Sequence, residues 1–212
     1  MTASAPPRSR LSAEERRRKI LEAAIRLFSQ KGFQGTTVRD LARQAGVSEA
    51  MLYQHFPSKE ALYHAILEGK VEEMRSAWDL DWGALGDVPT VLRRVVRSFL
   101  QRHASDPAFV RIVLFSALEG HELARDFVRG PRARFLELLS SYLRKGMNDG
   151  TVRDLDGDLA ARLLIGMAHY VVLLREVFGE GFTKGLDLED LSDAIADVFW
   201  RGIRGEDPEG RE

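Results

Sequence analysis

A chain of 212 residues with 44% hydrophobic side chains is long enough to bury one sizeable core and carry a small appended module. It has no cysteine, which excludes disulfides, thiol catalysis and cysteine-ligated zinc. Residues 1–60 hold 11 Lys and Arg against 6 Asp and Glu, so a basic first part sits on an acidic remainder, and only the first part is suited to a phosphate-bearing partner.

Residues 1–11 form a polar, proline-bearing arm, expected to be flexible and without the features of a signal peptide. Ser12 to Glu15 reads as a capping box opening a helix whose Ile20, Ala24, Leu27 and Phe28 face a core, and which ends near Gly32. Thr37 to Asp40 caps a second helix, with Val38, Leu41, Ala42 and Ala45 as its apolar stripe. Gly46 supplies the positive φ needed to leave it, and Ser48 caps a third helix. Leu52 and Phe56 lie four apart on the buried face of that helix, which turns Glu49, Ala50, Met51, Tyr53, Gln54 and His55 outward. Two short helices about a tight turn in this spacing form a helix-turn-helix, whose second helix enters the major groove of DNA.

Ser58 after Pro57 starts a longer helix running past Met74 toward Trp78. Further starts are expected at Asp87–Pro89, at Asp106–Pro107 and at Pro131, where proline's missing N–H costs least. With two more helices, about 159–178 and from Leu188, the chain reads as all-α with about nine helices: a three-helix DNA-binding module over 12–60, a helical ligand-binding and dimerisation domain over 61–203, and a flexible tail over 204–212. The most apolar stretch, Leu163 to Leu174, is 12 residues and contains His169. A membrane span needs about 20 apolar residues, so a buried helix, no membrane contact and a cytoplasmic location are expected.

The eighth helix is apolar nearly all round and the ninth has one apolar face. A homodimer seam is therefore expected at Ala161, Ile165, Ala168, Val172, Leu191, Ile195, Val198 and Phe199, the alternative being that both helices complete a monomeric core. Two-fold symmetry would place two recognition helices about 34 Å apart on a palindromic operator. Aromatic and titratable groups amid apolar helices orient amphipathic ligands, which makes Trp78, His103, Phe115, Glu119, His121, Tyr142, Met167, His169 and Tyr170 candidate pocket residues. Most of these also suit a plain core. No G-x-S-x-G elbow, P-loop or H-E-x-x-H motif occurs, so neither an enzyme nor a metal or cofactor site is expected.

The apolar helix ending in LF, the glycine corner KGFQGTTV, the AGVS turn, LYQHF and the SKE helix start together resemble the TetR family of bacterial transcriptional regulators. The resemblance covers roughly the first 70 residues. It implies a repressor of double-stranded DNA, dimeric through a four-helix bundle of its last two helices and released by a small apolar or amphipathic effector. Thr36, Thr37 and Lys59 stand at helix starts where phosphate oxygens can be held. By resemblance Tyr53 and His55 also touch the backbone, and Arg39 and Gln54 reach base edges. Arg8 and Arg10 are candidates for the minor groove. Ala50, Met51 and Glu49 depart from the residues usual at those positions, so the operator is not transferable. A DNA-binding structural protein with no effector is the alternative.

Overall fold

The computed structural model describes residues 12–78, 86–179, 185 and 187–205. Its helices are α1 (Ala13–Lys31), α2 (Val38–Ala45), α3 (Glu49–His55), α4 (Lys59–Trp78), α5 (Val88–Ser105), α6 (Pro107–Leu118), α7 (Glu122–Phe127), α8 (Ala133–Asn148), α9 (Gly157–Phe178) and α10 (Leu188–Ile203). A five-residue π turn, Val128–Arg132, joins α7 to α8, and Phe127 and Ala133 at its ends keep helical angles. The path over 122–148 is thus one rod, and the described residues of this all-α chain form nine. Pro131, expected to open a helix, lies inside this turn, whose wider winding accommodates a residue with no N–H to donate. Among the described residues the only β-type pairing is a bridge between Val152 and Arg204.

Local chemistry sets the first three helices. The Ser12–Glu15 capping box forms in both directions, Thr37 accepts the N–H of Asp40, and Ser48 accepts that of Met51. Gly46 leaves α2 with φ 68° and ψ 33°, a left-handed conformation that costs glycine nothing. Ile20, Phe28, Leu41, Leu52 and Phe56 close over one another, and Leu62, Tyr63, Ile66 and Leu67 of α4 join the same cluster. The first half of α4 therefore belongs to the N-terminal core, and a division at residue 60 cuts through it. Ile112 of α6 also belongs, with Phe109 and Phe127 packed alongside.

The second core gathers α5, α8, α9 and α10: Val91, Leu92, Val96, Leu139, Leu143, Ala161, Leu164 and Ala168 are buried there. Arg97 ties α5 to α10 through Glu189 at 2.8 Å, and Arg144 ties α8 to α9 through Asp158 at 3.1 Å. Helix α9 is long and apolar enough to cross a membrane, but one of its faces is packed in this core.

Candidate DNA interface and effector site

On the recognition helix the expected outward set is outward: Glu49, Ala50, Tyr53 and Gln54 are exposed and Met51 and His55 half-buried, while Leu52 is fully buried beneath them. Burying Leu52 contributes about 2 kcal/mol and holds the helix against α1 and α2. Arg39 and Thr37 are exposed on α2 beside this face, and Thr37 both caps Asp40 and donates its hydroxyl to the Asp40 carboxylate at 2.8 Å. That hydrogen bond, followed by neighbouring cations, holds the Asp40 carboxyl below its usual range. Arg17, absent from the sequence-based set, lies 4.8 Å over the Phe56 ring at the far end of the recognition helix.

Two expected phosphate contacts are corrected. Thr36 is fully buried and its hydroxyl donates to the Gly32 carbonyl at 2.8 Å, so it shapes the corner and is out of reach of a phosphate. Lys59 turns inward: Nζ donates to the carbonyls of Phe33 (2.9 Å) and Thr36 (3.0 Å) and sits 4.0 Å over the Phe33 ring. Its charge binds two carbonyls of the corner, of which that of Phe33 also accepts the Thr36 N–H, at the expense of the DNA surface. Arg8 and Arg10 lie outside the described residues.

Three candidate pocket residues serve other ends. Glu119 accepts the backbone N–H groups of Phe33 and Gln34 at 3.0 and 3.2 Å, joining the end of α6 to the glycine corner. Phe115 packs against the same corner. A Cβ on Gly32, whose φ is 71°, would collide with the Glu119 carboxylate and press on the Phe115 ring, so glycine is required by conformation and by space. His121 completes the seam, its ring 4.6 Å from Phe33 and 5.1 Å from Tyr63. Tyr63 donates to the Ile112 carbonyl at 3.2 Å, and burial pushes its hydroxyl pKa up to about 12. Arg111 adds a further tie, donating from Nε to Ser29 O at 2.8 Å and from its guanidinium to Glu176 O at 3.1 Å. One side chain thus bridges the last turns of α1 and α9.

The other candidates divide. Tyr142 donates to the Gly86 carbonyl at 3.2 Å, Met167 packs on the second core, and Tyr170 is exposed. The side chain of Trp78 lies outside the described residues. His103 and His169 do come together, with ring centroids 6.4 Å apart and Phe99 near both, at 4.0 and 6.1 Å. His103 Nδ1 is 2.7 Å from the Phe99 carbonyl, which favours the tautomer protonated at that nitrogen. Burial, then the nearby Arg132 charge, then His103, push His169 down to about 4. Burial likewise lowers His103. A cleft of about 150 Å³ opens beside His103, lined by Lys70 and Glu73 of α4, Arg102 and Ser105 of α5, and Asp106, Phe109 and Val110 at the start of α6.

The residues expected at a dimer seam divide as well. Ala161, Ile165, Ala168, Val172, Ile195 and Phe199 are buried within the single chain, and Leu191 packs half-buried on that core. Their small and branched side chains fit the chain's own interior. The large apolar residues left outside are Leu159 (53% exposed), Leu163 (55%), Tyr170 (61%), Val177 (55%) and Phe178 (60%) on α9 and, of the expected set, Val198 (62%) on α10. Positions 159, 163, 166 and 170 share one helix face, and Gly166 leaves a gap between the larger side chains.

Residues 20–66 match the family model described as bacterial regulatory proteins, tetR family, and residues 87–173 match a tetracyclin repressor-like C-terminal domain. The HTH-type transcriptional repressor KstR2 of Rhodococcus jostii is 30% identical over 165 residues, which are 75% of this chain and 79% of that protein. The nucleoid occlusion factor SlmA of Salmonella typhi is 32% identical over 145 residues, 67% of this chain and 71% of its own. The regulator FadR of Bacillus subtilis, solved in complex with stearoyl-CoA, has a TM-score of 0.71 at 22% identity and covers 88% of this chain and 99% of its own. At that identity the likeness extends to the fold alone.

Proposed function

The chain belongs to the TetR family of bacterial transcriptional regulators, and from that premise we propose that it is a cytoplasmic repressor that binds a palindromic operator as a homodimer and releases it when a small apolar or amphipathic molecule enters its C-terminal domain. The observation that carries the DNA reading is the outward set Glu49, Ala50, Tyr53 and Gln54 on a helix fixed from below by Leu52 and Phe56. Such a helix reads base edges, with Arg39 of α2 beside it, while Thr37 positions the phosphates. The dimer forms through Leu159, Leu163, Tyr170 and Val198, because a contiguous apolar stripe of this kind gains by being covered.

Release follows from where the cleft lies. Its walls are α4, which continues into the N-terminal core, and the start of α6, whose other end holds the glycine corner through Glu119. Pockets that hold drug-sized ligands span roughly 300–1,000 Å³, so a ligand that enters a cleft of about 150 Å³ widens it, parts these helices and shifts the recognition helix. Emptying an operator that is nearly full requires about 10⁴-fold preference for the released state.

The likeness to a nucleoid occlusion factor, no weaker in identity than that to a repressor, favours a second reading: a DNA-binding protein without a small-molecule effector. Selection of sites from a random duplex pool, followed by a screen of hydrophobic metabolites for operator release, tests both. Recovery of no palindrome rejects the repressor, and a palindrome that no compound releases favours the second reading.

A further inference from the structure

The charged groups that line the cleft beside His103 are unequally satisfied. Lys70 of α4 reaches Asp106 at 2.8 Å and Glu73 at 2.9 Å, and Asp106 also accepts the N–H of Phe109 at 3.2 Å. Burial favours the neutral form of His103, whose Nδ1 lies 2.7 Å from the Phe99 carbonyl. Arg102 is the exception. It lines the same cleft from α5 and is half-buried, yet among the described residues its guanidinium makes no hydrogen bond or ion pair. Its backbone carbonyl is held by the Ser105 hydroxyl at 2.8 Å and the Asp106 N–H at 3.2 Å, so the end of α5 is fixed while the side-chain donors remain unused.

Two cations and two carboxylates line the cleft, and Lys70 already answers both carboxylates. The charge still to be met is therefore positive, and it is single. A planar guanidinium meets a carboxylate with two parallel N–H donors. A doubly charged phosphate makes the same contact but brings a second negative charge beside Asp106 and Glu73, which repel it. The remaining wall is apolar, formed by Phe109 and Val110. An apolar cavity of about 150 Å³ holds one benzene ring, and this cleft offers about 150 Å³.

We propose that the cleft binds an organic monoanion, with its carboxylate on Arg102 and a ring-sized apolar body against Phe109 and Val110. Phe109 also packs on the N-terminal core and against Phe127, with ring centroids 5.6 Å apart, so the guest touches a side chain on which the DNA-binding module rests. A body larger than one ring has to widen the cleft. This assignment rests on the effector reading above for its regulatory consequence and narrows it to a head group and a charge.

Benzoate, benzamide and benzamidine share one shape and carry negative, zero and positive charge, and phenyl phosphate adds the second negative charge. Titration calorimetry of the purified full chain should show benzoate binding at least about tenfold more tightly than benzamide, the fold-change that a charge-assisted hydrogen bond carries. Benzamidine should bind least, and phenyl phosphate less tightly than benzoate. Arg102→Gln should bring benzoate down to the level of benzamide, with Arg102→Lys between. Benzamide or benzamidine binding as tightly as benzoate, phenyl phosphate binding more tightly, no binding of any probe, or a preference that survives Arg102→Gln overturns the site. The comparison of probes on the unaltered protein decides even where a variant does not fold. Operator release is read separately with 4-hexylbenzoate, whose body exceeds the cleft, by anisotropy of a labelled operator duplex. Binding through Arg102 without release keeps this site and rejects the effector reading, whereas release that Arg102→Gln leaves unchanged rejects the site and keeps that reading.

Discussion

Glu119, at the end of α6, accepts the backbone N–H of Phe33 at 3.0 Å across 86 residues of sequence, and its second oxygen takes the next N–H at 3.2 Å. The C-terminal domain thereby holds the corner on which the helix-turn-helix is mounted. Glu119→Ala leaves two N–H groups without their acceptor and should lower stability by about 1.5–3 kcal/mol in urea unfolding. Glu119→Gln keeps one acceptor oxygen and should lose less. A change below about 0.5 kcal/mol in the alanine variant means that the latch is not formed in solution.

Lys59 makes the opposite case from the one its position suggests. Because Nζ is held by two carbonyls and the Phe33 ring, Lys59→Ala should destabilise the N-terminal unit by about 2 kcal/mol. It should leave the dependence of operator affinity on salt unchanged, since no phosphate contact is lost. A fall of about one in the slope of log affinity against log salt would instead identify Lys59 as a phosphate ligand.

The contrast between these residues and the helix caps shows what was legible in the chain. Ser12, Thr37, Gly46 and Ser48 act on groups within four residues of themselves, so their chemistry can be read from neighbours in sequence. Glu119, Lys59 and Arg111 act across 23 to 86 residues, and nothing in their local pattern distinguishes them from solvated charges. The all-round apolarity of α9 announced two buried faces without saying which one meets the chain's own core. Ala161, Ile165 and Ala168 face inward, whereas Leu159 and Leu163, two residues out of step with the first pair, face outward. Two residues are about 200° of helical rotation, so the neighbouring helices had to be placed before the seam could be assigned.

The division of the seam residues changes what mutagenesis should give. Leu163→Arg and Val198→Arg place a charge on residues more than half exposed in the single chain, so each should yield a folded monomer, with unchanged far-UV circular dichroism and half the mass by light scattering. Ala168→Arg puts an unpaired charge in a fully buried position and should unfold the domain at a cost of several kcal/mol. A dimeric mass for both surface variants rejects this face as the interface.

His169 gives stability a defined dependence on pH. Its folded pKa of about 4 lies below the unfolded value near 6.5, so the unfolded chain takes up the proton first as pH falls. The loss begins near pH 6.5, grows to about pH 4 and then levels off once both states are protonated. The ring keeps some contact with water, so the total is on the order of 2 kcal/mol rather than the full value of the shift. His103, lowered by burial and by Arg102 and Arg132, adds a contribution of the same sign. Unfolding free energies at pH 7, 5.5 and 4.5 should fall more steeply for the unaltered protein than for His169→Gln. Equal slopes would mean that His169 is as well solvated folded as unfolded.

Gln54 is the exposed residue of α3 with the donor and acceptor pair that matches adenine, through two hydrogen bonds to the base edge in the major groove. Losing that pair in Gln54→Ala should relax the preference at one base pair in each half-site, by about 1–3 kcal/mol, and leave the other positions as they were. Thr37→Ala removes a hydroxyl that also caps α2 and should weaken binding to all duplexes alike, with a stability loss of about 1 kcal/mol. The two variants therefore differ in kind: one changes the selected motif and the other only the affinity. If site selection with Gln54→Ala returns the same motif as the unaltered protein, base reading resides elsewhere on the outward set, and Arg39, exposed on α2 beside it, is the next residue to substitute.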